Sequence, residues 1–338
     1  MSSTEAVTIT DVASRAGVSI ATVSRVINAR YGVAETTAER VREAIADLGY
    51  ESSLSARSLK RAPTGVIGII TSDFEPFVAE LLRGVHGAVR GSGYDLVTYS
   101  SGAAAGADAR GWEQRHLSRL SSLADGTILV TPWVSQVVSS NPVVAVDPQA
   151  DALDVPSVTA ENREGADAAV AHLLGLGHRR IAFIGGRPDL LSARLREDGY
   201  RDAHARAGLE VDPSLVVRGD YRPDRAAEAA HTLLDLVDPP TAILAANDAM
   251  AISVLAVART RGVRVPDELS VTGFDDTPEA ALADPPLTTV DQGIRELGER
   301  AVGLVLDLLD DDRPQPASSP VTLPTRLVVR ATSAAPPG

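Results

Sequence analysis

The sequence predicts an α/β protein in two parts: an all-α segment at the N-terminus and a larger body of two lobes, each built on a parallel β-sheet. Two observations predict this fold. Residues 8–49 have the pattern of short helices joined by tight turns, whereas from Gly65 onward apolar runs of strand length alternate with helical stretches. Such alternation is typical of parallel sheets with crossover helices. The 338 residues are enough for two or more domains of about 150 residues each.

Residues 8–28, TITDVASRAGVSIATVSRVIN, predict two helices that meet at a tight turn. We expect Thr10 to cap a helix that begins at Asp11, and Gly17 to adopt the positive φ that ends it. Ser19 is expected to cap a second helix, Ile20–Asn28, with Val23, Val26 and Ile27 facing inward and Ile20, Ala21, Ser24 and Arg25 facing outward. This is the pattern of a helix-turn-helix, whose second helix enters the major groove of DNA. An ordinary αα-hairpin inside a larger fold is the alternative.

A third helix is predicted over Thr37–Leu48. Thr36 and Glu39 have the spacing of a capping box at its start, and Val41, Ile45 and Leu48 would form its buried side. The three helices together predict a small separate domain.

The body contains apolar runs that predict buried strands and, between them, helices. The strand candidates are VIGII (66–70), DLVTY (95–99), GTILV (126–130), PVVAV (142–146), RIAFIG (180–185), TAILAA (241–246), LSVTGF (269–274) and, near the end, TRLVVRA (325–331). The helix candidates include 78–91, 163–176, 194–207, 223–236 and 248–261. Ala152–Ser157 and Leu287–Gln292 are the expected crossings between the two lobes.

Composition and charge exclude several classes of protein. The chain is 44% hydrophobic and has no cysteine, so disulfide scaffolds, thiolate metal sites and cysteine nucleophiles are excluded. No membrane helix or secretion signal is predicted, and we expect a cytoplasmic protein. Residues 1–62 hold eight basic and seven acidic residues, whereas the remainder holds 24 and 38. A near-neutral head on an acidic body fits local contact with DNA.

Polar and aromatic side chains follow the predicted strands, where a two-lobed α/β protein binds its ligand. Asp147 follows PVVAV, Asn247 and Asp248 follow TAILAA, and Asp275 and Asp276 follow LSVTGF. We expect Asn247 and Asp275 to contact a ligand and Asp248 and Asp276 to act as caps. The remaining candidates are Arg196, which is expected to start a helix, the aromatic residues Phe77, Trp133 and Tyr221, and Asp73.

An enzyme is not predicted. Asp147 and Asp275 could resemble only the two catalytic carboxylates of a glycosidase. The sequence has no His-Glu metal spacing, phosphate-binding glycine loop or nucleophile elbow. His178 is expected to have a structural role. We therefore expect no cofactor and no metal.

Several motifs together resemble the LacI/GalR family of bacterial transcription regulators over nearly the whole chain. They are VTITDVASRAGVSIATVSRVIN, ERVREAIADLGY (39–50), HLLGLGHRRIAFIGG (172–186), SARLR with Gly199 and Tyr200, AANDAMA (245–251), SVTGFDD (270–276) and PPLTTVDQ (285–292). The resemblance implies a helix-turn-helix DNA-binding domain (1–50), a hinge or linker (51–63) and a periplasmic-binding-protein-like core (64–338). The N-terminal lobe would span about 64–160 and 291–322, and the C-terminal lobe about 161–290 and 323–333.

The resemblance also implies how DNA is contacted. Ile20 and Ala21 fall at the family's base-reading positions, where they allow apolar contact with a thymine methyl. Arg25 is the candidate for guanine, with a phosphate contact as the alternative. Six polar side chains are suited to phosphate contacts: Thr8, Thr10, Ser19, Thr22, Ser24 and Asn28.

The linker resembles the family's hinge helix, which folds on the operator. Leu59 and Ala56 match its minor-groove positions, and Arg57 is placed to meet a phosphate. Packing of Leu59 on the body is the alternative. Glu51-Ser52-Ser53 stands where the family often has Pro-Asn, and Ala34 replaces its usual capping serine; both are departures from the family pattern that bear on the affinity of the hinge for DNA.

The function that the resemblance implies is a repressor of carbohydrate-utilisation genes. It would bind a palindromic operator as a homodimer, with Ile252 and Leu255 in the dimer surface, and a sugar would release it. The effector residues would be Asp73, Phe77, Trp133, Asp147, Arg196, Tyr221, Asn247 and Asp275. The alternatives are a corepressor-dependent regulator with a purine or other non-sugar effector, and a solute-binding protein.

Overall fold

The computed structural model describes residues 9–27, 34–48, 63–72, 74–101, 109–134, 136–149, 153–310 and 319–337. Contacts within the chain divide it into two compact units, Met1–Ala62 and Pro63–Gly338. The predicted fold class is confirmed: helices alone form the described part of the first unit, and parallel sheets with crossover helices form the second. None of the helices in these ranges has both the length and the apolar character that a membrane span requires.

Three helices form the N-terminal unit: α1 (Ile9–Ala16), α2 (Ile20–Ile27) and α3 (Glu35–Leu48). Small and β-branched side chains fill the space between them, which allows the helices to approach closely. The buried set is Val12, Ala13, Ala16, Val23, Val41 and Ala44, with Val18 and Val26 packed against it. Gly17 has a φ of 66°, so the predicted turn at this glycine is confirmed.

Two of the helix caps predicted for the N-terminal unit are wrong. Helix α1 already contains Thr10, so Thr10 lies within the first turn and does not cap it. Helix α3 begins at Glu35, and the carbonyl of Ala34 accepts from the amides of Thr37 and Ala38. Thr36 therefore has a helical position. The predicted cap at Ser19 is confirmed, because its Oγ accepts from the Thr22 amide at 3.2 Å.

The N-terminal lobe of the body has a six-stranded parallel sheet in the order β11-β5-β4-β3-β1-β2. Its strands are β1 (Val66–Thr71), β2 (Asp95–Ser100), β3 (Gly126–Val130), β4 (Val143–Val146), β5 (Ser157–Ala160) and β11 (Val321–Leu323). Helices α4 (Pro76–Val89), α5 (Ala109–Leu120) and α11 (Ile294–Leu309) cover it. The central strands are buried on both faces, which explains their continuous apolar runs.

The C-terminal lobe has a four-stranded parallel sheet in the order β7-β6-β8-β9. Its strands are β6 (Ile181–Gly185), β7 (Val216–Arg218), β8 (Ala242–Ala245) and β9 (Ser270–Thr272). The helices are α6 (Asn162–Gly175), α7 (Leu191–Arg206), α8 (Pro223–Leu234), α9 (Asp248–Thr260) and the short α10 (Pro278–Leu282). Phe183 and Tyr200 stack with ring centroids 5.2 Å apart in the core of this lobe.

The described part of the chain passes between the lobes three times: after β5, after β10 (Thr289–Asp291), and between β11 and β12 (Arg326–Val328). Strands β10 and β12 pair antiparallel. The predicted crossing at Ala152–Ser157 is wrong, because the described part of this segment leads into β5, which pairs with β4 inside the N-terminal sheet. The second predicted crossing, Leu287–Gln292, contains β10.

The last described residues are bound into the C-terminal lobe. Thr332 Oγ1 accepts from the Thr288 amide at 2.8 Å and donates to the Val271 carbonyl at 2.6 Å. The His178 ring lies 2.9 Å from Thr241 Oγ1 and 2.8 Å from the Ala334 carbonyl. The predicted structural role of His178 is therefore confirmed, since its ring joins this C-terminal segment to the sheet.

Candidate functional site

The second helix of the N-terminal unit presents a polar and apolar surface away from its core. Val23 is buried, whereas Ile20 is 48% exposed and Arg25 is exposed. Ser19 Oγ lies 2.9 Å from Thr22 Oγ1, so these two hydroxyls form a pair at the start of the helix. An isoleucine and an arginine exposed on one short helix are suited to the floor of a DNA groove.

Several predicted DNA-binding positions lie outside the described residues. These are Thr8, Asn28, Ala56, Arg57 and Leu59, together with the side chains of Thr10, Ala21 and Ser24. Their roles stay predictions.

A cavity of about 210 Å³ lies between the two lobes of the body. It is formed where the loops after the parallel strands of both sheets face each other, as expected for an α/β protein. Seven of the predicted effector residues line it: Phe77, Trp133, Asp147, Arg196, Tyr221, Asn247 and Asp275. The eighth, Asp73, lies outside the described residues.

Arg196 is the central cation of this cavity. It lies in the second turn of α7 rather than at its start, and it is only 4% exposed. Its Nε donates to Asn162 Oδ1 at 2.8 Å, and its Nη1 donates to the Ala246 carbonyl and, at 3.4 Å, to Asp275 Oδ1. The guanidinium carbon lies 3.7 Å from the centre of the Phe274 ring. These contacts hold the guanidinium in one orientation, as ligand recognition requires.

Two buried aspartates lie near Arg196. Burial raises the pKa of Asp275 to about 6, although Arg196 and a hydrogen bond from Gln292 act in the opposite direction. Burial also raises the pKa of Asp147, again opposed by Arg196. The hydrogen bonds to Asp147 from Thr159 and from the Gln149 side-chain amide are both 3.4 Å long. Both carboxylates therefore retain capacity to accept hydrogen bonds from a ligand.

Tyr221 is the polar aromatic of the cavity. Its hydroxyl is buried and makes no hydrogen bond of full geometry within the described residues; burial raises its pKa, and Arg196 and the nearby Ser192 side chain act in the opposite direction. A Cβ atom on Gly186 would lie 2.3 Å from the tyrosine ring, so a glycine is needed there. A buried polar group without a partner is destabilising unless a ligand or water supplies one.

Asn247 has a second role that the sequence prediction did not include. Its Oδ1 accepts from the Met250 amide at 2.9 Å and caps α9.

The predicted caps at Asp248 and Asp276 are wrong. Buried Asp248 instead accepts from the Thr277 amide at 2.8 Å and from Thr289 Oγ1, and Asp276 pairs with Arg330 at 2.6 Å. Both carboxylates bind groups that are distant in sequence instead of capping a helix beside them, as the sequence suggested.

Sequence reasoning missed several residues that line the cavity. They include Glu75, Gln149, Arg187, Leu190, Ser192 and Asp220. Arg187 follows β6, which the sequence predicted, so the rule that identified Asp147 would also have found it; Asp220 follows β7, which was not among the predicted strands. Gln149 joins the lobes, since its Oε1 accepts from the Leu191 amide at 3.0 Å, and no local pattern signals this contact.

The predicted dimer residues differ in accessibility. Leu255 is 7% exposed and belongs to the core of the C-terminal lobe, whereas Ile252 is partly buried and packs against that core. Leu255 therefore has little surface left for a partner.

Comparison with known proteins gives matches to both parts of the chain. A family model described as bacterial regulatory proteins, lacI family, matches residues 8–53. A second, described as a periplasmic binding protein-like domain, matches residues 170–333. Among curated proteins, the HTH-type transcriptional repressor PurR of Photobacterium profundum is 34% identical over 316 residues, covering 90% of this chain and 92% of the relative.

Two solved structures resemble the chain over nearly its full length. The lac repressor dimer bound to operator and the anti-inducer ONPF has a TM-score of 0.72 at 30% identity, covering 98% of this chain and 100% of that one. A complex of the transcriptional regulator CelR with cellobiose has a TM-score of 0.71 at 31% identity, covering 96% and 99%.

Proposed function

The chain belongs to the lacI family of bacterial regulatory proteins, and from this premise we propose that it represses carbohydrate-utilisation genes and is released from DNA by a sugar. It would bind a palindromic operator as a homodimer in the cytoplasm, where the chromosome is. The curated relative PurR is a repressor, and the lac repressor was solved as a dimer on its operator. A two-fold dimer places two recognition helices on two operator half-sites.

Helix α2 is the proposed recognition helix. The exposure of Ile20 and Arg25 supports this role, with Ile20 and Ala21 against thymine methyl groups and Arg25 on a guanine. The proposed phosphate contacts come from Thr8, Thr10, Ser19, Thr22, Ser24 and Asn28. In the linker, Ala56 and Leu59 would enter the minor groove and Arg57 would meet a phosphate.

The single observation that carries the effector proposal is the chemistry of the cavity between the lobes. Two buried carboxylates, Asp147 and Asp275, lie near the guanidinium of Arg196, and aromatic rings complete the walls. Carboxylates accept hydrogen bonds from vicinal hydroxyls, a guanidinium donates to them, and aromatic rings pack on the apolar face of a sugar. We assign Asp73 and Asn247 to the same site.

A purine corepressor is the second candidate. The flat rings of Phe77, Trp133 and Tyr221, all in the cavity wall, would stack on a base as well as on a sugar. Two buried acceptors suit a ligand rich in hydroxyl donors better than a base, whose edge offers few donors. The cavity chemistry therefore favours the sugar.

Binding of the effector would be linked to DNA affinity through the arrangement of the lobes. A ligand between the lobes favours the arrangement that it contacts best, and it changes operator affinity only if the two arrangements differ in affinity for DNA. The linkage is reciprocal, so the operator must change effector affinity by the same factor.

A mobility-shift assay with the DNA upstream of the gene tests the proposal. The protein should retard this fragment at low salt, and one sugar of a panel should release it. Release by no sugar, with tighter binding in a purine, would replace the sugar with a corepressor. Absence of any shift at low salt would favour a solute-binding protein.

A further inference from the structure

Trp133 and Arg187 meet across the cleft from opposite lobes. Trp133 lies in the loop after β3 of the N-terminal lobe, and Arg187 lies in the loop after β6 of the C-terminal lobe. The Arg187 guanidinium carbon is 4.7 Å from the centre of the indole ring, the distance of a cation–π contact. Both side chains line the cavity but are only partly buried, whereas Asp147, Arg196 and Asp275 are buried. The pair therefore lies at the mouth of the cavity.

Each partner of this pair is held by its own lobe. The Glu113 carboxylate accepts from the backbone amides of Trp133 and Val134 at 2.9 and 3.0 Å, which fixes the loop that carries the indole. The Asp189 carboxylate accepts from Arg187 Nε at 3.3 Å and from Nη2 at 2.8 Å. The loop that carries Trp133 and the guanidinium of Arg187 are therefore each held within their own lobe, so the contact between the two side chains depends on the separation of the lobes.

The volume of the cavity limits the size of the ligand that it can hold. The cavity of about 210 Å³ is smaller than the roughly 300 Å³ at which pockets for drug-sized ligands begin. The second ring of a disaccharide would have to extend out through the mouth of the cavity, and this requires Arg187 to move off the indole of Trp133. The bond from the Leu191 amide to Gln149, at 3.0 Å, joins the lobes beside the same cavity and resists such widening.

We infer that Trp133 and Arg187 form a gate across the mouth of the cleft that limits its ligand to a single sugar ring. This inference rests on the sugar-binding function proposed above. The gate determines specificity by excluding longer saccharides, while the buried aspartates and Arg196 bind the ring that is admitted.

The closure of the gate is measurable without a ligand. The chain has two tryptophans, Trp112 and Trp133, so a Trp112→Phe variant retains Trp133 as the single indole reporter. In that background, Arg187→Ala should raise the acrylamide quenching constant at least two-fold. Arg225→Ala, which removes an exposed arginine outside the cavity, is the matched control and should leave quenching unchanged. Equal quenching in all three proteins would overturn the gate.

The specificity of the gate is measurable by calorimetry with paired sugars: glucose with cellobiose, galactose with lactose, and xylose with xylobiose. The wild-type protein should bind one monosaccharide at least ten-fold more tightly than its disaccharide, and Trp133→Ala and Arg187→Ala should each reduce this ratio to three-fold or less. Equal affinity of wild type for both members of a pair would overturn the gate and leave the sugar function intact. Binding of no sugar, by wild type or by either opened variant, would refute both.

Discussion

Replacing Asp275 with asparagine should make the folded protein more stable while it loses its response to the effector. Asp275 is 6% exposed, and burial raises its pKa to about 6 from 3.8. That difference corresponds to roughly 3 kcal/mol against the ionised form. Asparagine removes the charge and keeps an acceptor oxygen for Gln292 and Arg196. Burial and the neighbouring charge of Asp275 hold the pKa of Asp248 well above its usual value, so Asp248 also benefits.

The stability gained by Asp275→Asn should be larger at high pH than at low pH. The folded-state pKa of Asp275 lies above the unfolded value, so its destabilising effect is absent below about pH 4 and complete above about pH 6. At pH 7.5 the Asp275→Asn variant should be more stable by about 1–3 kcal/mol, which for a body of this size raises Tm by several degrees. At pH 4.5 most of the difference should disappear.

Thermal and urea unfolding at the two pH values, with a mobility shift in parallel, measure both effects. Asp276→Asn is the matched control, because Asp276 pairs with Arg330 at 2.6 Å and its loss removes a favourable contact. The control should be no more stable than wild type at pH 7.5 and should still respond to the effector. A loss of stability in Asp275→Asn at pH 7.5 as large as that of the control would refute the reasoning.

Four further outcomes are expected. Arg25→Ala should weaken binding by about 1–3 kcal/mol at one operator base pair in mobility shifts on point variants; an equal loss on every variant would indicate a phosphate contact. Ser19→Ala should destabilise the N-terminal unit by about 1 kcal/mol in thermal unfolding, and Ser19→Thr, which keeps a capping hydroxyl, should not. Gly84→Ala should lower Tm, because its Cβ would lie 2.0 Å from the Arg295 carbonyl oxygen, whereas Gly87→Ala meets nothing within 4 Å and should be neutral; equal effects would contradict this packing. Effector affinity measured by calorimetry should fall about ten-fold per pH unit below the Asp275 pKa of about 6, as the acceptor is protonated; constant affinity from pH 7.5 to pH 5 would remove Asp275 from the contacts.

The sequence predicted which residues gather at the cleft because one rule of topology brings them together. In a parallel sheet all carboxyl ends lie at one edge, so residues that follow strands, such as Asp147 and Asp275, can be assigned to that edge without knowing strand order. The apolar runs identified the central strands for a similar reason, since these strands are buried on both faces.

The features that the sequence did not predict depend on partners far along the chain. Strand β5 is four residues long and exists because β4 and β11 pair with it, so its residues show only the pattern of a linker. The double role of Asn247 and the bond between Gln149 and Leu191 likewise depend on packing. Thr10 and Thr36 show another limit, because a residue suited to a cap is also tolerated one or two positions inside the helix.

The three passages of the chain between the lobes have a consequence for synthesis. Val158 in β5 pairs with Val321 in β11, more than 160 positions later, and the C-terminal lobe is completed by Thr332 and Ala334. A nascent chain on the ribosome therefore leaves the N-terminal sheet open at its β5 edge until β11 has been made, whereas all four strands of the C-terminal sheet are present once Thr272 has been made. Contacts so distant in sequence form slowly and leave apolar edges uncovered meanwhile, so the emerging body should depend on chaperones more than the three-helix head, which can close as soon as it leaves the exit tunnel.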